Sequence, residues 1–502
     1  MLGVDHLLEG LALCLRADVI GMLALGMVLG VVVGALPGLT AAMAVAVLLP
    51  ISFFVDPILS IPFLLAITKG AIFGGSIPAI LINTPGTGAA AATVLDGYPL
   101  ARQGKARKAL EIALYSSVIG DTTSDVATIF LAGLFATAAL LVGPPEYFGI
   151  FLFAFALISS VTGNSLTRGL FSAALGLFLG AIGLDPLIGV SRFGLGSVEL
   201  SAGISFIALI IGLFALSELF LFAESVIFRR SGGDSTTVVS THDAGNEPLR
   251  MHEFRACGRT IARSSALGTM IGIVPGIGQV VAAFLSYTLA RRFSKHPEEF
   301  GKGSLEGVAA AEAGNNAVNG SSLIPLLSFG VPGDVVTAVL FSAFLVNGLR
   351  PGPRLFEDHG AVVYAILFAM LVSNVLMLAF GFIALRYVAL ISRIPRQVVF
   401  PVVAVLCVVG AFALNNSMFD VQIMLFFGVL GYLLRKFDFP LAPMIITFIL
   451  GPQFEASLGQ SLIIGDGLSI FIERPLALAF IVLAAVAVIW GAQRRPGTID
   501  SA

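Results

Sequence analysis

Charge is scarce in this sequence: Asp, Glu, Lys and Arg make up 12% of its 502 residues, about half the share of a typical soluble domain. With 57% apolar residues and a mean hydropathy of +0.99, a soluble chain would have to expose large apolar patches, which soluble monomers avoid. Lipid removes that difficulty. Histidine is rarer still: His6, His242, His252, His296 and His359 lie in the first residues or in polar connections. No Ser/His/Asp set, HExxH or CxxC spacing accompanies them, so an enzyme is not expected. Cys14, Cys257 and Cys407 stand far apart and read as small packing residues rather than a disulfide or metal framework. A GxxxxGK[ST] phosphate loop is missing as well, and no cofactor is expected. Asp5 and Glu9 stand where a secretory signal carries basic residues, so no cleaved signal is expected. No nucleic-acid partner is expected either.

What the chain has in abundance is uncharged sequence. Residues Val19–Val55, Val126–Pro145, Tyr147–Thr167, Ser264–Ala290, Ala361–Leu385, Gln397–Phe419 and Leu476–Gln493 carry no charge. Runs of this length are the mark of spanning helices. Stretches such as 365–382 are apolar on every face, unlike the alternating strands of a membrane barrel. The expected fold is therefore an all-α polytopic membrane protein with about twelve segments, several of them broken or re-entrant. Basic residues gather at Arg102, Lys105, Arg107 and Lys108, at 229–263, at Arg291, Arg292 and Lys295, at Arg435 and Lys436, and at Arg494 and Arg495. The positive-inside rule puts these connections on the cytoplasmic side. The stretch 229–260 is rich in Gly, Ser, Thr and Asp, as a polar cytoplasmic linker would be. It separates a first half, 1–228, from a second, 261–502.

The halves share punctuation. Pro37-Gly38 in the first corresponds to Pro275-Gly276 in the second. Downstream, Pro78 precedes Pro85-Gly86 by the same interval as Pro325 precedes Pro332-Gly333. This is an internal repeat. Proline removes a helix hydrogen bond and glycine allows the chain to turn, and in lipid such breaks persist only where protein or water satisfies the freed backbone. Matched interruptions in two halves point to a transporter binding site, since the ends of half-helices suit a carboxylate or a cation. The candidate substrate residues are Pro37, Gly38, Thr40, Asn83, Thr84, Pro85, Gly86, Thr87, Pro275, Gly276, Gly278, Ser321, Ser322, Pro332 and Gly333. Within this set, Asn83, Thr84, Thr87, Ser321 and Ser322 are expected to contact a carboxylate. Asn315, Asn316 and Asn319 offer neutral oxygens to a cation such as Na⁺. The bland alternative, Pro-Gly kinks and Asn/Ser helix glue, explains a single break better than four in matched order.

Two further features stand out. Lys69 lies in an otherwise apolar segment and either serves function or snorkels to an interface. Asp121 and Asp125 share one helical face, and either bind a cation or face a polar cavity.

At these motifs the chain resembles the large membrane subunit of tripartite tricarboxylate transporters. The resemblance rests on GALPGLT (34–40), GAIFGGSIPAILINTPGT (70–87), LDGYPLARQGKA (95–106), EFGKGSLEGVAAAEAGNNA (299–317), LIPLLSFGVPG (323–333), ILGPQFE (449–455), GDG (465–467) and ERP (473–475). It implies a secondary carrier in the bacterial inner membrane, importing a small carboxylate such as citrate. It further implies a periplasmic solute-binding protein and a small membrane subunit of about four helices as partners. Coupling to Na⁺ or H⁺ and inverted repeats with elevator-like movement are implied as well. A stand-alone permease or channel for a small anion is the alternative; a scaffold leaves the paired breaks unexplained.

Overall fold

Apolar sequence cut by Pro-Gly pairs produces helices of two kinds, continuous and interrupted. The structure, a computed structural model, describes residues 4–36, 38–162, 165–227, 247–391, 396–413, 415–465 and 467–493. Of these, 81% are helical; the strands among them are Gly183–Leu184 and Ser191–Arg192, paired antiparallel. Nine helices among the described residues are long and apolar enough to cross a membrane, from Ala17–Gly34 to Pro475–Gln493. Four apolar helices are shorter, among them Ala41–Phe54 and Val335–Val346. The latter two follow breaks, so they are too short to count as full crossings on their own.

Most of the expected linker, 229–246, and Pro37 lie outside the described residues. Residues 251–260 of that stretch are helix, the start of Met251–Ile273. Glu253 turns that helix's first residues inward by accepting from the Arg250 amide at 2.8 Å and pairing with Lys108 at 2.7 Å. Gln103 reaches the Lys302 carbonyl at 2.6 Å. The basic connection 102–108 of the first half thus contacts residues 253 and 302 of the second.

Three helices organise the centre. The lysine helix, Pro57–Ile82, is buried over nearly its whole length. It packs along Ala17–Gly34 through Gly26, Gly30 and Gly34 on one side and Gly70 and Gly74 on the other. A Cβ at Gly34 would lie 2.1 Å from the Ala71 carbonyl oxygen. Small residues are the means by which helices approach closely in lipid. Gly34→Leu should therefore prevent recovery of monodisperse protein. Gly21→Leu, on the same helix with nothing within 4 Å of its added Cβ, should leave yield and elution unchanged in size-exclusion chromatography. The aspartate helix, Ala106–Ala139, and the asparagine helix, Leu305–Ser321, pack together with similar intimacy. A Cβ at Gly120 would sit 2.4 Å from the Ala313 oxygen.

The paired prolines behave alike in detail. Five residues after Pro78, Asn83 adopts a left-handed conformation (φ 55°); five after Pro325, Gly330 does the same (φ 71°). In each case the next amide returns to the proline carbonyl, Thr84 to Pro78 at 3.3 Å and Val331 to Pro325 at 3.1 Å. This closure satisfies carbonyls left open at a helix end. Gly38 (φ 92°) and Gly276 (φ 89°) also match, in a region that L side chains rarely adopt. One difference is plain: the lysine helix runs unbroken to Ile82, whereas the asparagine helix gives way at Ser322 to a separate Leu323–Phe329 helix.

Candidate functional site

The breaks bring backbone together. The Gly276 amide donates to the Gly333 carbonyl at 2.7 Å, so the two second-half breaks touch directly. In the first half the Gly86 amide reaches the Gly75 carbonyl at 3.0 Å, and a Cβ on Gly86 would come within 2.4 Å of the Gly34 oxygen. Thr40 caps Ala41–Leu48 by accepting from the Met43 amide. Thr87 accepts from the Ala90 amide and Thr84 donates to the Ile82 carbonyl. Ser321 and Ser322 donate to carbonyls of their own helix, Ala317 and Asn319. These hydroxyls are thus engaged locally, and Asn83 is exposed.

The polar centre lies between helices rather than at the turns. Lys69 is completely buried, which removes snorkelling as its explanation. Its ammonium donates to Asp125 at 2.5 Å and to Asn374 Oδ1 at 2.7 Å, with Asp121 at 3.5 Å. Asn374 also donates to Asp125 at 2.7 Å. Asn319 donates to Asp121 at 3.0 Å and accepts from Gln279 at 2.6 Å. The two aspartates flagged by their shared face therefore meet the isolated lysine, and one predicted cation ligand, Asn319, joins them.

One turn along the aspartate helix lies a second cluster around Glu312, which is fully buried. Its carboxylate accepts from Ser76 at 2.6 Å, Ser117 at 3.0 Å, Thr93 and, at 3.4 Å, the Asn316 amide. Asn316 also donates to Ser117 at 2.9 Å. Both polar atoms of the Asn315 side chain are buried without a partner, as is Asn316 Oδ1. The two clusters together hold three carboxylates and one ammonium. Neutral hydroxyls and amides soften the imbalance, yet buried charge without a counter-charge is costly in hydrocarbon.

Beside Lys69 lies a cavity lined by Thr68, Gln279, Asn319, Ser322, Asp334 and Thr337, among apolar walls. It leaves ≈ 10 Å³ for the centre of a water molecule, room for about one. The first turns of Gly278–Phe293 and Val335–Val346 open onto it. Asp334 already occupies the second of these helix starts, accepting from the Thr337 amide at 2.8 Å. Of the predicted substrate residues that are described, only Ser322 lines this cavity; Asn83, Thr84 and Thr87 do not. The first-half break instead approaches the neighbouring helix, with Val280 3.2 Å from a Cβ on Gly88.

Sequence reasoning missed Glu312, Asn374 and Gln279. A signal existed for Glu312, an acidic residue four before Asn316 in an otherwise small-residue helix. Asn374 sits inside a charge-free run and carried none. Among the described residues no group of three or more His, Cys, Asp and Glu could hold a metal ion.

A helical chain with nine spanning-length segments among its described residues, around an interrupted, charged interior, is a multi-pass membrane protein with a polar centre. The tripartite tricarboxylate transporter TctA family matches residues 20–446. The chain belongs to that family. It is 34% identical over 465 residues to an uncharacterised 52.8 kDa protein in the TAR-I ttuC' 3' region of Agrobacterium vitis, covering 92% of this chain and 91% of that one. A second Agrobacterium vitis protein, uncharacterised and in the TAR-II ttuC' 3' region, is 35% identical over 223 residues, 44% of this chain and 92% of its own length. No solved structure matches.

Proposed function

We propose that this chain forms the path of a binding-protein-dependent secondary transporter. It imports a small carboxylate, a tricarboxylate such as citrate or a related organic anion, across the bacterial inner membrane. A small membrane subunit and a periplasmic solute-binding protein complete the system. Na⁺ or H⁺ drives it, and the two halves move as inverted repeats. The observation that carries this reading is the buried imbalance of three carboxylates against one lysine beside a polar cavity. Such an interior calls for a cation to enter with the solute. The Pro-Gly turns at Pro85, Pro275 and Pro332, with Gly278, hold the helix ends; Ser322 and Asn319 meet the solute side; Asn315 and Asn316 serve the cation side.

The test is uptake of labelled citrate into proteoliposomes holding this chain and its small-subunit partner. Binding protein and inward Na⁺ gradient are each added or withheld. Uptake that needs both is the expected result. Uptake without the binding protein would replace this reading with a stand-alone permease. Uptake insensitive to both Na⁺ and pH gradients would remove ion coupling.

A further inference from the structure

The lysine cluster has the form of an occupied cation site. Four oxygens surround the Lys69 ammonium: Asp125 Oδ2 at 2.5 Å, Asn374 Oδ1 at 2.7 Å, the Met370 carbonyl at 3.4 Å and Asp121 Oδ1 at 3.5 Å. They come from two helices, the aspartate helix and Gly360–Ile391, and the lysine helix supplies the charge. Every one of these side chains is at most 2% exposed. Two carboxylate oxygens, Asp121 Oδ2 and Asp125 Oδ1, are buried with no hydrogen-bond partner. A structural ion pair needs one carboxylate per ammonium; this cage has two, with acceptor capacity left over. Hard monovalent and divalent cations are bound by such oxygen sets.

We propose that this cage is a Na⁺ site in which Lys69 stands in for the ion. When Na⁺ enters, Lys69 leaves the cage and its ammonium turns into the adjoining cavity. The side chain already lines that cavity beside Gln279, Asn319, Ser322, Thr337 and Asp334, whose carboxylate accepts from the Thr337 amide and hydroxyl. Among the described residues no other lysine or arginine lines it, so it gains this positive charge only when the cage has taken a cation. Charge is conserved through the exchange. One positive charge in the cage is replaced by another, and the displaced ammonium is left for an anion. Cation and anion binding thereby become mutually dependent, and the coupling is reciprocal by thermodynamic linkage. This deepens the carrier reading and rests on it for the identity of the anion; its test uses no solute, so either can fail alone.

The test follows the thermal midpoint of the full-length chain in lipid nanodiscs as NaCl replaces choline chloride at constant ionic strength. In the native protein Lys69 competes with Na⁺, so the midpoint should respond weakly. Lys69→Met removes the competitor and leaves two unpaired aspartates. Its midpoint should climb steeply with Na⁺, giving an apparent affinity at least about tenfold tighter. Lys69→Met combined with Asp125→Asn should fold and lose the Na⁺ response. A folded Lys69→Met protein with the native Na⁺ response overturns the proposal. So does a double variant that keeps the response. Lys69→Met that fails to fold at every NaCl concentration, whether or not the double variant folds, assigns the cluster to structure and overturns it equally.

Discussion

Replacing Gly333 with leucine is expected to lower uptake on the order of 100-fold while the protein still inserts and purifies. Even the first added carbon would meet Ser322 at 2.9 Å, against both its Cβ and backbone. The Gly333 carbonyl accepts from the Gly276 amide at 2.7 Å, so displacement passes directly to the other second-half break. Overpacking costs about 1–3 kcal/mol, which a protein with many spanning helices survives. Insertion follows from those helices and from basic loops, neither of which changes. Uptake in proteoliposomes and chromatographic behaviour are measured together. Native uptake by this variant would remove the breaks from the transport path. Asn316→Leu should act in the same direction by stripping the donor that Ser117 and Glu312 share.

The second large effect concerns Glu312, and here stability and function should part. Glu312→Gln keeps the shape but removes a carboxylate that is fully buried among three hydroxyls and an amide, with no cation partner. Hydroxyls can rotate to accept from the new amide. Removing an uncompensated buried charge tends to be neutral or stabilising. The thermal midpoint should therefore hold or rise by a few degrees, while ion-driven uptake falls on the order of 100-fold, as expected for a group that takes part in coupling. A fall in both together would mark Glu312 as a packing residue. Unchanged uptake would take it off the ion path.

The architecture was legible where spacing alone carries it. Pro78 and Pro325, which open equal intervals to Pro85 and Pro332, are both followed by a left-handed closure. Lys69 announced itself as a lone charge, and Asp121 and Asp125 as a shared face. Their union was not legible, because helical period gives the direction a side chain faces and not which helix stands opposite. Lys69 and Asp125 are 56 residues apart, and Asn374 lies 305 from Lys69. Asn83, Thr84 and Thr87 illustrate the converse. Their composition suits a carboxylate, but turn geometry commits Thr84 and Thr87 to nearby backbone. Polar residues beside a break are first of all needed to close it.

The burial of the lysine helix also sets a problem of timing. A ribosome adding ~5–20 residues each second releases Lys69 several seconds before Asp125, 56 residues later. During that interval a cationic segment meant for the molecule's interior has no counter-charge, and a central lysine costs about 2.5–3.5 kcal/mol at the insertion machinery. Its strongly apolar neighbours offset the penalty. Ser76 waits longer still, with Glu312 arriving 236 residues after it. The innermost helix of the finished protein is thus among the first made and among the last to find its companions. Its early custody falls to Ala17–Gly34, the glycine-lined helix already synthesised when it emerges.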